Sequence, residues 1–256
     1  MKKIGKWWFP DGETHMNEHI LEDTISNRGG EYQTLQRDYA LSYMKKYYNR
    51  AGTALDIGGH VGLWCVDMAK AFHNVIAFEP VKDHRKCFHK NMKEQGITNY
   101  SLNEFALGNP PEKEGSIYMD IHEGNSGSTK VVEAGTPEMA VMCKRLDTLG
   151  LKDVHFIKMD AEGYEIEILK GAKNTIMENR PVMMIEVKAN QLQKFGYVQK
   201  DLRMKMKEYG YSMENVINND YLFTPNDIFH RYSTDDKGIV LDKTVRRNEA
   251  WHNPKD

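Results

Sequence analysis

The segment Ala54-Leu55-Asp56-Ile57-Gly58-Gly59-His60-Val61-Gly62 constrains this chain more than any other. Residues 53–57 read as a short buried strand that runs straight into a glycine-rich turn, and residues 63–72 leave that turn as a helix. Parallel strands need crossover connections, usually helices, so a strand that opens into a helix starts an α/β sheet. The rhythm continues with a strand at 74–78, a helix at 82–95 ended by Gly96, and a strand at 100–106. It resumes with a strand at 155–159, a helix at 164–179, a nearly all-apolar strand at 181–187 and a helix at 198–209. Residues 211–216 and 221–223, separated by Asn218-Asn219, read as a closing antiparallel pair. The expected fold is therefore α/β: a doubly wound, mostly parallel, seven-stranded Rossmann-like sheet with helices on both faces and an antiparallel closing strand.

Between 108 and 149 the rhythm breaks at Pro110-Pro111, Gly115, Gly124, Gly127 and Gly135. Alternating stretches at 116–121 and 140–146 read as strands of an insertion around the loop 124–129, a candidate acceptor-binding segment that could overhang the cofactor edge. Three parts are expected: an N-terminal arm and helix at 1–52, the main domain at 53–225, and a polar tail at 226–256. With 256 residues, 40% of them hydrophobic, the core needs no disulfide or metal staple. No apolar run approaches the roughly 20 residues of a membrane span. Asp11 and Glu13 follow Trp7-Trp8-Phe9-Pro10 where a signal peptide would place its apolar stretch, so a cytoplasmic location is expected. Cys65, Cys87 and Cys143 show no C-x-x-C spacing, which fits a reducing compartment and packed thiols. The formal net charge of -2 supplies no electrostatic argument for a nucleic-acid partner.

The glycine turn lacks the G-x-G-x-x-G order of a dinucleotide site and reads instead as D-x-G-x-x-x-G, from Asp56 through Gly58 and Gly59 to Gly62. Glycines there expose backbone N–H groups and let a ligand approach. Asp56, inside the strand end, can hold an amine better than a pyrophosphate. Glu79 closes the next strand at the carboxyl edge, where a carboxylate can accept both hydroxyls of a ribose. An amine and a ribose side by side point to S-adenosylmethionine. His60 sits in the turn, within reach of the cofactor. Glu104-Phe105 ends the third strand, where it can reach the adenine edge; an exposed turn is the competing reading.

A second block, Phe156-Ile157-Lys158-Met159-Asp160-Ala161-Glu162-Gly163-Tyr164-Glu165, ends the fourth strand at the same edge. One acid there could merely cap the next helix; three acids and a lysine exceed that need. With Ala106-Leu107-Gly108, Leu146-Asp147, Leu169-Lys170-Gly171-Ala172 and Met184-Ile185-Glu186-Val187, this block resembles the FkbM-type S-adenosylmethionine-dependent methyltransferases over about residues 53–187. The family turn usually carries Ala-Asn where this chain has Gly59-His60. The resemblance implies a class I methyltransferase fold and methyl transfer to an oxygen of a sugar, polyketide or other small metabolite. Asp160, Glu162 and Glu186 are the candidate base, or the ligands of a divalent cation that acidifies the hydroxyl; Lys158 orients a carboxylate or binds substrate.

Asn109-Pro110-Pro111 is similar to the motif of nucleic-acid amino-methyltransferases, but Glu112 stands where an aromatic residue would stack on a flipped base. A non-catalytic module that binds through the Trp7-Trp8 arm is the other rival, and it is disfavoured because both blocks are intact. Trp7, Trp8 and Phe9 read as apolar plugs on the domain in preference to a lid. His15 and His19 have the spacing of a helical metal pair but no third ligand nearby, so the pairing reads as coincidence. The acceptor is expected to be a small molecule or saccharide.

Overall fold

In the computed structural model the arm begins as an antiparallel hairpin, β1 (Lys2–Ile4) with β2 (Trp7–Phe9), followed by helix α1 (Thr34–Tyr43) and a π-helical turn over Met44–Tyr48. The structure describes residues 1–17, 20, 32–48, 51–122, 124–132, 139–226, 228–235 and 238–246, the last two as backbone only. His19, Gly29, Gly30, Arg247 and Trp251 lie outside them.

The chain then builds β3 (Thr53–Ile57), α2 (Leu63–Ala71), β4 (Asn74–Phe78), α3 (Lys82–Glu94) and β5 (Tyr100–Asn103). The insertion forms a separate four-stranded sheet of β6 (Ala106–Leu107), β7 (Glu114–Asp120), β8 (Lys130–Val132) and β9 (Met139–Lys144) in the order β6-β9-β7-β8. The strand expected over 100–106 is thus divided between two sheets. Next come β10 (Val154–Met159), α4 (Glu165–Gly171), α5 (Lys173–Asn179), β11 (Val182–Glu186), α6 (Ala189–Leu192), α7 (Gln199–Glu208), β12 (Tyr211–Ile217) and β13 (Asp220–Pro225). The single helix expected over 164–179 breaks at Ala172, whose backbone (φ -114°, ψ 6°) precedes α5. Asp147 explains the fresh start: its two oxygens accept the N–H groups of Asn174 (2.9 Å) and Thr175 (2.7 Å) in the first turn of α5. In the segment expected as a polar tail, the backbone pairs as an antiparallel hairpin, β14 (Ile228–Asp235) with β15 (Gly238–Arg246).

The main sheet has the order β12-β13-β11-β10-β3-β4-β5, and β13 alone runs opposite to the other six strands. Strand order reverses at β3: β4 and β5 lie on one side, and the chain returns through β10 on the other. Side-chain alternation sorts the sheet into two apolar layers. Leu55, Ile57, Ile157, Met159, Met183 and Ile185 pack into one. Ala54, Phe156, Val182 and Met184 pack into the other, together with the arm residues Trp7, Phe9, Met16 and Ile20. Trp7 and Phe9 are fully buried, which makes them the plugs that the apolar arm suggested. Trp8 exchanges hydrogen bonds with the Asn91 side chain of α3.

Candidate active site

In an open α/β sheet ligands gather where the strand order reverses, here between β3 and β10. The two blocks, distant in sequence, meet at that point. Asp56 lies in register with Lys158 and Ile57 with Met159, and the Asp160 N–H donates to Ile57 O (3.0 Å). The alternation that puts Ala54 and Phe156 on the arm-covered face puts Asp56 and Lys158 there too. It does the same for Glu186, two residues beyond Met184, and for its β13 partner Asp220.

The glycine turn corrects one expectation. Four of its N–H groups are already spent on the protein: Gly58 and Gly59 donate to Phe78 O, His60 donates to Glu79 Oε2 (2.9 Å), and Gly62 donates to Gly59 O. The turn therefore offers no nest for a pyrophosphate. Gly58 is required by the neighbouring strand end: at φ 80°, an added Cβ would lie 1.9 Å from Asp160 O. His60, at φ 47°, and Glu162, at φ 51°, hold left-handed backbone without being glycine, a strain that favours functional sites.

Two adjoining clefts open above this turn. One, of about 620 Å³, has Glu79, His84, Leu107 and Tyr164 in its wall. The other, of about 550 Å³, is bordered by Tyr32, Asp56, Trp64 and Lys158. Gly58, His60, Gly127, Asp160 and Glu162 line both. Glu79 Oε1 also accepts the Val81 N–H (2.8 Å) and faces His84 Nδ1 at 3.2 Å, which holds the carboxylate at the cleft wall. Asp56 is buried and its Oδ2 has no hydrogen-bond partner. Burial pushes its carboxyl up to about 7; Asp160 and Glu79 add to the rise and Lys158 opposes it. A buried, unpartnered carboxylate beside a cleft is a place for a cation.

Asp160, Glu162 and Glu186 each bring an oxygen within 4.8 Å of the others. Lys188 Nζ lies 2.8 Å from Glu186 Oε2 and 3.0 Å from Glu162 Oε1, and Gln191 donates to Glu162 Oε2 (2.8 Å). Lys158 Nζ bonds Asp220 Oδ1 at 2.8 Å, stands 3.9 Å from Asp160 Oδ2, and lies 5.1 Å from the centre of the Trp64 ring. Burial, then Asp160, pushes Glu186 up to about 9, and the same two causes raise Glu162. Burial alone would lower both lysines; the carboxylates around them outweigh it and hold each above the ordinary lysine range. Glu165, the first residue of α4, braces the turn ahead of the helix: its Oε1 accepts the Ala161 and Gly163 N–H groups.

Glu104 and Phe105 stand apart from the site. Glu104 is exposed and paired with Arg85, Phe105 packs on Phe78, and Ala106 and Leu107 line the cleft in their place. The chain bends into the insertion sheet one residue after them, which turns both away from the edge. Four contributors are absent from the sequence-level site. Tyr32 reaches it from the arm and Asp220 from β13. Lys188 follows the expected strand directly, so its proximity to Glu186 was a usable signal. Glu13 is buried in the arm and accepts the N–H groups of Met16 (3.0 Å) and Ser126 (2.7 Å) and the Ser126 hydroxyl. Ser126 Oγ in turn lies 2.8 Å from His60 Nε2, so arm, insertion and glycine turn are tied together across the clefts.

The sequence profile of the Methyltransferase FkbM domain matches residues 56–213. The chain belongs to the FkbM methyltransferase family. The matched span takes in the glycine turn and the acidic block, and it leaves the first 55 residues outside, including the arm that supplies Tyr32 and Glu13. Methyltransferase 1 of Beauveria bassiana (strain ARSEF 2860) is 27% identical over 141 residues, which make up 46% of this chain and 57% of that protein. The FkbM-family chain thus spans little more than half of that relative's length. Among solved structures, Methyltransferase FkbM from Methylobacillus flagellatus KT aligns with 71% of this chain and 47% of its own at 16% identity and a TM-score of 0.46. A putative methyltransferase from Streptococcus mutans, SMU.1697c, solved in complex with SAH, aligns with 73% of this chain and 94% of its own at 8% identity and a TM-score of 0.46. No helix among the described residues is long and apolar enough to cross a membrane.

Proposed function

We propose that this chain transfers a methyl group from S-adenosylmethionine to a hydroxyl oxygen of a small metabolite or saccharide. The observation that carries this reading is the convergence of Asp160, Glu162 and Glu186 beside a cleft whose other wall holds Glu79 and the glycine turn. Asp56 would balance the cofactor's ammonium, which answers its unpartnered Oδ2, and Glu79 Oε2, which accepts the His60 N–H, has a lone pair left for a ribose hydroxyl. Bound there, S-adenosylmethionine supplies an electrophilic sulfonium methyl. The protein's main task is then alignment of oxygen, carbon and sulfur, worth up to several kcal/mol of the barrier. A carboxylate of the Asp160 and Glu186 pair takes the hydroxyl proton as the oxygen–carbon bond forms and the carbon–sulfur bond breaks.

A divalent cation would need the oxygens of these same three acids. Lys188 Nζ already bonds Glu162 and Glu186, so the donor set does not fit an ion and the base reading is preferred. An amino-methyltransferase of nucleic acids is disfavoured by the placement of Pro110 and Pro111. Their carbonyls accept the Arg145 guanidinium and neither residue lines a cleft.

Isothermal titration with S-adenosylmethionine and with NAD tests the cofactor: the first should bind, the second should not, and Asp56→Ala or Glu79→Ala should abolish binding. Labelled methyl offered with a panel of sugars, metabolites and nucleic acids tests the acceptor. Label in a hydroxyl compound supports the reading, and label in RNA or DNA overturns it.

A further inference from the structure

We infer that Lys188 is a built-in counter-cation, holding the place in the carboxylate cluster that a divalent ion would otherwise take, and that it positions Glu162 and Glu186 for the reaction. Three carboxylate oxygens within 4.8 Å of one another repel unless a proton or a cation sits among them. The cation present is the Lys188 ammonium, in hydrogen-bond range of two of the three acids. Its place follows directly from the fold: Glu186 ends β11, Lys188 is two residues on, and Gln191 at the end of the next turn holds the other oxygen of Glu162. Lys158 does not substitute for it, since it bonds Asp220 and only approaches Asp160. An ammonium donates three directed hydrogen bonds and accepts none, whereas a divalent ion demands six or more oxygens. The two cannot share Glu162 and Glu186. Removing the lysine should therefore turn the cluster into a hard-cation site.

The effect on turnover depends on the proposed methyl transfer; the occupancy by an ammonium does not. The test is titration of the full-length apo-protein with Mn2+, followed by electron paramagnetic resonance, for wild type, Lys188→Met and Lys188→Arg. The far-ultraviolet circular dichroism spectrum and the thermal melt serve as the fold control. Lys188→Met should bind Mn2+ about tenfold or more tighter than wild type, and adding Glu162→Gln to it should remove that gain. Lys188→Arg, which keeps the cation, should behave as wild type. Tight Mn2+ binding by the wild-type protein that is lost in Glu162→Gln would overturn the inference, and so would equal Mn2+ affinity in wild type and Lys188→Met. If Lys188→Met does not fold, the wild-type titration and the Lys188→Arg variant still decide. Once an acceptor is known, wild-type turnover should be unchanged by EDTA; loss of turnover on chelation would overturn the inference, whereas absence of methyl transfer to any hydroxyl compound would bear on the methyl-transfer reading alone.

Discussion

Asp56 shows how a single side chain can trade stability for ligand affinity. Its carboxyl titrates near 7 in the folded chain against an ordinary 3.8, chiefly through burial. The folded state therefore holds its proton longer than the unfolded one, so this contribution is fully favourable below the unfolded value and is lost as pH rises from about 4 to about 7. Asp56→Asn should raise stability at about pH 8 by on the order of 1–4 kcal/mol and leave it little changed at about pH 4. Urea denaturation at the two pH values checks the sign, and titration with S-adenosylmethionine should show at least a tenfold loss in affinity. The cysteines are inert at this scale. All three are buried, and burial pushes Cys87 and Cys143 up to about 11. The same scale separates readable residues from unreadable ones. Asp56, Glu79, Asp160 and Glu186 are recognisable because each ends a strand at the carboxyl edge. Tyr32 and Asp220 are not, because nothing local distinguishes a tyrosine in an irregular arm, or an aspartate after Asn-Asn, from surface residues.

At the scale of elements, the contact between β3 and β10 is the most sensitive joint. Gly58→Ala places a Cβ against Asp160 O and requires a left-handed alanine. It should cost at least about 1–3 kcal/mol from the backbone conformation alone, seen as a lower Tm, with weakened cofactor binding. The arm-to-insertion tie is the second joint. Glu13→Ala strands the Met16 and Ser126 N–H groups in buried positions, at about 1–3 kcal/mol per lost partner. It also frees Ser126 and His60 at the cleft, so the KM for S-adenosylmethionine should rise more than kcat falls. Steady-state kinetics with an identified acceptor would read that split. Element boundaries were legible wherever apolar periodicity was strong, as in β3, β4, α3, β10 and β11. Residues 100–106 and 164–179 do not show their breaks locally, because a switch between sheets and a cap from Asp147 are long-range events.

The whole molecule decides what the arm is for. A boundary at residue 53 follows from the motif pattern, yet Trp7, Phe9 and Ile20 are fully buried in the layer that covers one face of the main sheet. Burying three such side chains contributes about 5–9 kcal/mol, comparable to the entire stability of an ordinary domain. A chain beginning at Thr53 should therefore lack a cooperative melt by circular dichroism. A second molecular property is the excess of buried carboxylates around the clefts. A cofactor that brings positive charge among them, as S-adenosylmethionine would, should release protons on binding near neutral pH and bind tighter as pH rises toward about 9. Calorimetry in buffers of different ionisation enthalpy should report that release, and it should be smaller for S-adenosylhomocysteine, whose sulfur is neutral.

The order of amino acids alone carries the fold class, the glycine turn and most of the acids, because strand periodicity, turn chemistry and short motifs are local. It did not determine why the glycines are there: three of the turn's N–H groups are spent on Phe78 and Glu79, and Gly58 yields to Asp160 in place of a ligand. Only the tertiary structure decided that Asp56, Lys158, Glu186 and Asp220 share one face, that the arm closes over it, and that Lys188 sits among the acids. Register between strands and the choice of face are properties of pairs of segments, set by burial across the sheet.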